Sequence, residues 1–76
     1  MNKERRVLLQ DVGSEIDNQR SELQDIIDSE RDAFDALPES FQFSERGEKM
    51  ENAINEMEEI EFQMEEIISR IENFKY

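Results

Sequence analysis

Two series of apolar residues, each spaced alternately three and four residues apart, dominate the chain. The first series runs through Leu9, Val12, Ile16, Gln19, Leu23, Ile26, Glu30, Ala33 and Leu37, of which seven are apolar. The second runs through Met50, Ala53, Met57, Ile60, Met64, Ile67, Ile71 and Phe74, all of them apolar. Such spacing is typical of the a and d core positions of a coiled coil, here counted with Leu9 and Met50 at a. The pattern therefore predicts two long helices, with Leu23 and Ile60 buried near the middle of the seam between them.

The segment between the two series carries the signals that end one helix and begin the next. Pro38 disfavours helical geometry at Leu37 and so ends the first helix. Ser40 and Ser44 are both candidate N-caps for the second helix, and Gly47 would weaken its first turn, which favours a start between Ser44 and Gly47. We predict a single domain over residues 1–76, with helix one over about 2–37, a linker over 38–44 and helix two over about 45–75.

A linker of this length returns the chain, so the predicted fold is all-α: two long antiparallel helices in a coiled-coil-like helical hairpin. Gly13 is a soft spot in helix one, but the apolar phase continues across it, which favours a continuous helix. Phe41 and Phe43 in the linker are expected to plug the end of the hairpin. Additional apolar residues widen the stripe at position e and predict self-association into a homodimeric four-helix bundle, or docking on a partner. These residues are Ile27, Phe34, Ile54 and Ile68.

Composition narrows the chemistry that the chain can perform. It contains no Cys and no His, so thiolate zinc sites, disulfides and imidazole bases are excluded. It has no Gly-rich phosphate loop and no plausible pair of nucleophile and base, so we expect no enzyme activity, no cofactor and no metal site. No apolar run approaches the roughly 20 residues of a membrane span, and we expect a cytoplasmic protein.

Charge indicates the kind of partner. The chain has 21 acidic and 9 basic residues, a net charge of −12, which would repel nucleic acid and anionic membranes. We therefore expect no direct binding to either, and a protein partner with a basic surface instead. In helix two a Glu recurs at every b position and others flank it at c, while Phe62 lies at f. The candidate partner-binding residues are Glu51, Glu58, Glu59, Phe62, Glu65 and Glu66.

Two interpretations of this acidic surface stay open. In one it only keeps the protein in solution, and Phe62 is an ordinary exposed apolar residue. In the other the carboxylates imitate nucleic-acid phosphates and Phe62 enters a partner pocket. Two polar residues within the predicted seam, Gln19 and Glu30, either specify the pairing register or lie where the core is thin.

Residues 33–40, AFDALPES, are followed by SERGEKMENAI at 44–54. This middle third of the chain resembles small acidic helical proteins of phages and mobile elements, whose pattern is A-F-D-x-L-P-E-S, a short gap, then S-E-R-G-x-x-M-x-x-A-I and a Glu-rich helix. The resemblance implies a helical hairpin and a phage accessory protein, but it identifies no binding residues. The leading hypothesis is a phage-type inhibitor that occupies a basic nucleic-acid-binding surface of a host defence protein in the host cytoplasm. The alternative is a structural or adaptor hairpin that binds a partner through its apolar helix face.

Overall fold

Two long helices packed side by side form the protein in a computed structural model that describes residues 1–75. Helix α1 spans Lys3–Asp35, a short helix α2 spans Glu39–Gln42, and helix α3 spans Glu45–Glu72. Helices α1 and α3 run antiparallel and pack along their length, and the Cα trace measures 59 × 15 × 12 Å. Because the described residues contain helices and no strand, the prediction of an all-α helical hairpin is confirmed.

The first helix begins and ends at polar and proline signals. The Asn2 side chain accepts a hydrogen bond from the backbone N–H of Arg5 at 2.9 Å, as an N-cap does. Helix α1 ends at Asp35, two residues before the predicted end, because the chain must already leave the helix ahead of Pro38. The side-chain amide of Gln42 then donates to the carbonyl of Leu37 at 3.1 Å, which satisfies a backbone acceptor that the helix leaves free.

Ser44, and not Ser40, is the N-cap of the second long helix. Its hydroxyl accepts from the backbone N–H of Gly47 at 3.4 Å. The linker itself contains α2, which sequence analysis does not predict. Gly47 is buried, and a Cβ there would lie 2.6 Å from the carbonyl oxygen of Phe41. Glycine at this position therefore lets α2 pack directly on the first turn of α3.

Helix α1 continues unbroken through Gly13, as the apolar phase predicts. Gly13 is also buried, and a Cβ there would lie 3.0 Å from Cγ2 of Ile71. The absent side chain lets the two helices approach closely near the open end of the hairpin. The residue that weakens the helix locally thus contributes to its packing.

The seam between the helices uses positions a and e, so the prediction that a and d face the partner helix is wrong at d. The e positions from Gly13 to Phe34 and from Gly47 to Ile68 are all buried or half-buried, among them Ile27 at 1% and Ile54 at 6% exposure. The d positions are exposed: Val12, Gln19, Ile26, Ala33, Ala53, Ile60, Ile67 and Phe74. Ile60 in particular is 44% exposed, whereas Leu23 at position a is half-buried as predicted.

The physical reason is that each helix carries three adjacent apolar rows, d, a and e, and an antiparallel pair buries only two of them. Gly13 lies at position e of α1 and allows a close approach to the Ile71 side chain of α3 on the e side. Gly47, also at position e, makes room for α2 and not for α1. The helices meet along their a and e rows. The d rows stay on the surface as a consequence.

The enclosed core of the hairpin is small. Among the described residues only Ile27 and Ile54 are apolar side chains buried below a tenth of their surface. The linker aromatics do not enlarge this core, because Phe41 is 54% and Phe43 84% exposed. The expectation that they plug the end of the hairpin is therefore wrong. Hydrogen bonds hold the linker instead, from the Gln42 amide to the carbonyl of Leu37 and from the N–H of Gly47 to the Ser44 hydroxyl.

Candidate functional site

The six candidate partner-binding residues all lie on the surface of α3. Each is exposed, and the Phe62 side chain keeps 59% of its surface in solvent. Glu51, Glu58 and Glu65 follow one another at intervals of seven residues, which places them on one side of the helix about 10 Å apart. The placement suits a surface that meets a partner. It does not distinguish a binding surface from a solvated one.

Two of these glutamates also make contacts within the hairpin. The Glu58 carboxylate lies 2.8 Å from the Arg31 guanidinium, and the Glu65 carboxylate lies 3.6 Å from that of Arg20. Both pairs connect α3 to α1 across the seam. Because all four side chains keep more than a quarter of their surface in water, each pair stabilises the hairpin by no more than ~1 kcal/mol. Their geometric role is to hold these carboxylates against α1.

The other three glutamates are available to an outside partner. No ion pair joins Glu51, Glu59 or Glu66 to a basic residue within residues 1–75. They lie at positions b and c, and all three residues are exposed. A basic partner surface would find these three charges uncompensated.

Charge is distributed unevenly along the hairpin. Residues 15–66, which we call the acidic shaft, contain eighteen Asp or Glu and four Lys or Arg, a net charge of −14. Residues 1–14 and 67–75, which we call the open end, contain five basic and three acidic residues, a net charge of +2. The basic residues of the open end are Lys3, Arg5, Arg6, Arg70 and Lys75. The molecule is therefore an acidic rod with one weakly basic end.

A second surface, which sequence analysis misplaces, is made of the d rows together with Leu8 at the neighbouring position g. We call it the apolar face, and its large side chains are 44–61% exposed. They are Leu8, Val12, Ile26, Ile60, Ile67 and Phe74, with Ala33 and Ala53 between them.

The two d rows lie on the same side of the hairpin. In an antiparallel helix pair, equivalent heptad positions of both helices flank the seam on one side. A surface groove shows this at the open end, where Leu9 of α1 is adjacent to Ile67 and Phe74 of α3. On the opposite side another groove contains Arg31 and Glu58. The apolar face and the cross-hairpin ion pairs therefore occupy opposite sides.

Polar residues interrupt the seam, but not where both were predicted. Glu30 is half-buried at position a, as expected, whereas Gln19 is exposed, so its assignment to the seam is wrong. The half-buried polar residues at position e are Arg20 and Glu61. One carboxylate oxygen of Glu61 is shielded from solvent and has no hydrogen-bond partner in the described chain. The correct phase of the seam would have identified both residues.

Phe43 is the functional candidate that sequence analysis assigns to the wrong environment. At 84% exposure it is the most exposed large apolar residue among those described. It lies at the tip of the hairpin, between α2 and the N-cap Ser44. A free aromatic ring at a loop tip is a possible contact residue, and the only sequence signal for it is an aromatic next to a turn.

Other classes of site find no support in the described residues. In residues 1–75 there is no group of three or more Asp or Glu side chains arranged to hold a metal ion. No described helix is both long enough and apolar enough to cross a membrane. No protein-family model matches the chain, and neither a curated protein nor a solved structure gives a significant match.

Proposed function

We propose that this protein is a non-enzymatic binding protein whose acidic shaft occupies the basic, nucleic-acid-binding surface of a partner protein. The concrete form of the proposal, which depends on the resemblance to phage proteins, is an inhibitor of a host defence protein that acts in the host cytoplasm. The single observation that carries the proposal is the charge density of the shaft.

The shaft carries its net charge of −14 over 21 residues of α1, residues 15–35, and the part of the chain that returns alongside them. At 1.5 Å per residue this is about 32 Å, or roughly one net negative charge every 2.3 Å. Duplex DNA carries about one phosphate charge per 1.7 Å of its axis. The two densities are of the same order, so a groove lined with Lys and Arg would attract the shaft much as it attracts DNA.

The geometry also supports an extended contact. Sixteen of the eighteen acidic residues in the shaft are exposed, and only Glu30 and Glu61 are half-buried. Two helices side by side are roughly 20 Å across, so the shaft presents a rod and not a compact patch. A rod of fixed shape loses little conformational entropy on binding.

The first experiment identifies the partner and measures how salt affects binding. The immobilised hairpin captures proteins from a lysate of the native host, and titration calorimetry measures the affinity of each purified candidate. We expect the dissociation constant to rise steeply between about 50 and 200 mM salt, and duplex DNA to compete for the partner. A partner that binds DNA and the hairpin at the same time would refute occupation of the nucleic-acid site.

A pair of charge-matched variants tests which carboxylates matter. The shaft variant combines Glu51→Gln, Glu59→Gln and Glu66→Gln, and the control variant makes three equivalent changes at the open end. The control changes are Glu4→Gln, Asp11→Asn and Glu72→Gln. Both variants have a net charge of −9 instead of −12. The shaft variant spares Glu58 and Glu65, so the cross-hairpin ion pairs stay intact.

We expect the shaft variant to bind at least tenfold more weakly with a shallower dependence on salt, because three Lys or Arg contacts lose their carboxylates. The control should bind within about twofold of wild type, apart from the general effect of net charge. Equal weakening in both variants would mean that net charge, and not the shaft, attracts the partner. Unchanged affinity in a folded shaft variant would reject the proposal.

A second candidate function follows from the exposed apolar face. A structural or adaptor hairpin would bind a partner helix there, and Ile26, Ile60 and Ile67 would be the contacts. Binding of that kind would change little with salt, because it depends on apolar burial. The same salt titration therefore separates the two candidates.

A further inference from the structure

We propose that a second copy of this chain covers the apolar face, with the two hairpins oriented so that the loop end of each lies against the open end of the other. The resulting assembly is a four-helix bundle with its twofold axis perpendicular to the helices. The proposal does not depend on the proposed function, because the apolar face and the acidic side chains that carry that function are different residues.

The hairpin leaves apolar surface uncovered that a folded domain of this size would normally bury. Its six large apolar side chains are 44–61% exposed along one side, while among residues 1–75 only Ile27 and Ile54 are apolar side chains buried in the seam. Together the six expose on the order of 500 Å², compared with roughly 800 Å² per partner in a stable interface of standard size. The small and uncharged residues between them make up much of the difference.

The residues of the apolar face can be buried under the helices of a second hairpin. At the d positions Gln19, Ala33 and Ala53 are uncharged and exposed, so they would not leave a buried charge under a second hairpin. The neighbouring g positions are mixed: four are uncharged, Leu8, Ser29, Ala36 and Gln63, and five are charged and would lie at the rim of the interface, Glu15, Glu22, Lys49, Glu56 and Arg70. The d row of α1 continues from Val12 to Ala33, a length that a helix of the same size covers completely.

Charge complementarity decides between the two ways of placing a second hairpin on this face. If both loops lie at the same end, the two open ends of +2 meet each other, and acidic residues near the loops meet acidic residues. If the loops lie at opposite ends, the open end of each copy lies against the acidic loop half of the other. Oppositely charged surfaces then face each other at both ends of the bundle.

Charges on the face itself are mixed. Arg70 lies beside Ile67 at the open end, Glu56 lies beside Ala53, and Arg46 and Lys49 line a groove near the loop. The orientation therefore depends on the net charges of the two ends, +2 at the open end and −4 over residues 30–52, which contain seven acidic and three basic residues. A second copy is complementary in apolarity across the face and in net charge between its two ends.

The first test is the oligomeric state and the surface that controls it. Sedimentation equilibrium should show a monomer–dimer equilibrium, and Ile26→Gln combined with Ile60→Gln should raise the dissociation constant at least tenfold. Phe62→Gln is the matched control, because Phe62 is 59% exposed but lies off the face. Helicity measured by circular dichroism establishes that each variant is folded. If the double variant loses helicity, the single substitution Ile26→Gln replaces it.

A monomer at millimolar concentration would overturn the proposal and leave the face to a different protein. A dimer that Phe62→Gln weakens, and that the paired substitutions do not, would also overturn it. Because each copy carries −12, added salt should leave the dimer as tight or tighter. Binding to a basic partner should weaken under the same conditions, so failure of one proposal is distinguishable from failure of the other.

The second test fixes the orientation. The chain has no Cys, so a single Ser40→Cys at the loop end accepts a spin label without background. With loops at opposite ends, the two labels should lie on the order of 50 Å apart, close to the 59 Å length of the hairpin. Labels about 20 Å apart would show loops at the same end and reject the orientation. In the proposed arrangement, a mixture of Ser40→Cys and Lys3→Cys copies should give a short distance that neither labelled variant gives alone.

Discussion

Two neighbouring isoleucines test the phase of the seam directly. Ile27 is 1% exposed at position e, and Ile26 is 56% exposed at position d. A strict coiled-coil seam of a and d positions would instead bury Ile26 more than Ile27. Substitution of each residue by Ala removes the same atoms from the same helix, so the difference in stability reports burial alone.

The magnitudes follow from the buried fractions. Ile→Ala removes three carbons, worth about 2.4 kcal/mol if fully buried at ~0.8 kcal/mol each. Loss of packing around the cavity adds to this, so Ile27→Ala should cost about 2–5 kcal/mol. Ile26 buries less than half of its surface within one hairpin, and Ile26→Ala should cost about 1 kcal/mol or less.

Urea denaturation followed by circular dichroism measures both free energies of unfolding. If the dimer forms, Ile26→Ala gains an additional cost that depends on protein concentration, so the comparison is made at low micromolar and again at high micromolar concentration. Ile27→Val, expected to cost about 0.5–1.5 kcal/mol, replaces Ile27→Ala if that variant does not fold. Equal costs at low concentration, or a larger cost at Ile26, would refute the a/e seam.

Two further substitutions test the linker. Gly47→Ala should destabilise the protein, although Ala favours helix by about 1 kcal/mol, because its Cβ would lie 2.6 Å from backbone atoms of α2. Gly13→Ala is the control, because the nearest neighbour of its Cβ is the movable side chain of Ile71. A similar increase in the free energy of unfolding for both variants would contradict this packing. Ser44→Ala should cost about 0.5–2 kcal/mol of stability in the same denaturation assay through loss of the N-cap, whereas no loss would assign the cap elsewhere.

The sequence predicts the helices and the hairpin because both depend on local signals. Apolar period, Pro38 and the Ser44 cap act within a few residues, and each favours the structure that forms. Continuity through Gly13 is predicted correctly for the same reason: one weak residue does not interrupt a helix whose apolar phase persists.

The sequence does not determine how α1 and α3 are rotated about their own axes, and so which rows face each other. Rows d, a and e are all mostly apolar, so hydrophobicity does not decide which two rows meet. One contact that favours the e side is the close approach of Gly13 to Ile71 across the hairpin. A contact between residues 58 positions apart in the chain leaves no periodic signal. The assignment of Ile60 to the core fails for this reason.

The sequence identifies the candidate acidic residues by their heptad positions, and the structure shows which of them form ion pairs. Composition identifies the surface, but the bridges from Glu58 to Arg31 and from Glu65 to Arg20 depend on the rotation of α3 against α1. A prediction that counts charges treats all five glutamates alike. The fold divides them into two that are paired and three that are free.

Rotation toward the e rows also determines how the two proposals fit together. On α3 the apolar d row and the acidic b row lie about 150° apart around the helix axis. A second copy on the apolar face therefore leaves Glu51 and the rest of the b row exposed, and the bundle presents one acidic side on each of its two outer surfaces. A partner with two basic grooves would then bind the dimer more tightly than the monomer, as two linked sites do. The paired substitutions Ile26→Gln and Ile60→Gln should accordingly weaken capture of such a partner without removing a single carboxylate, whereas a partner with one groove would bind both forms equally.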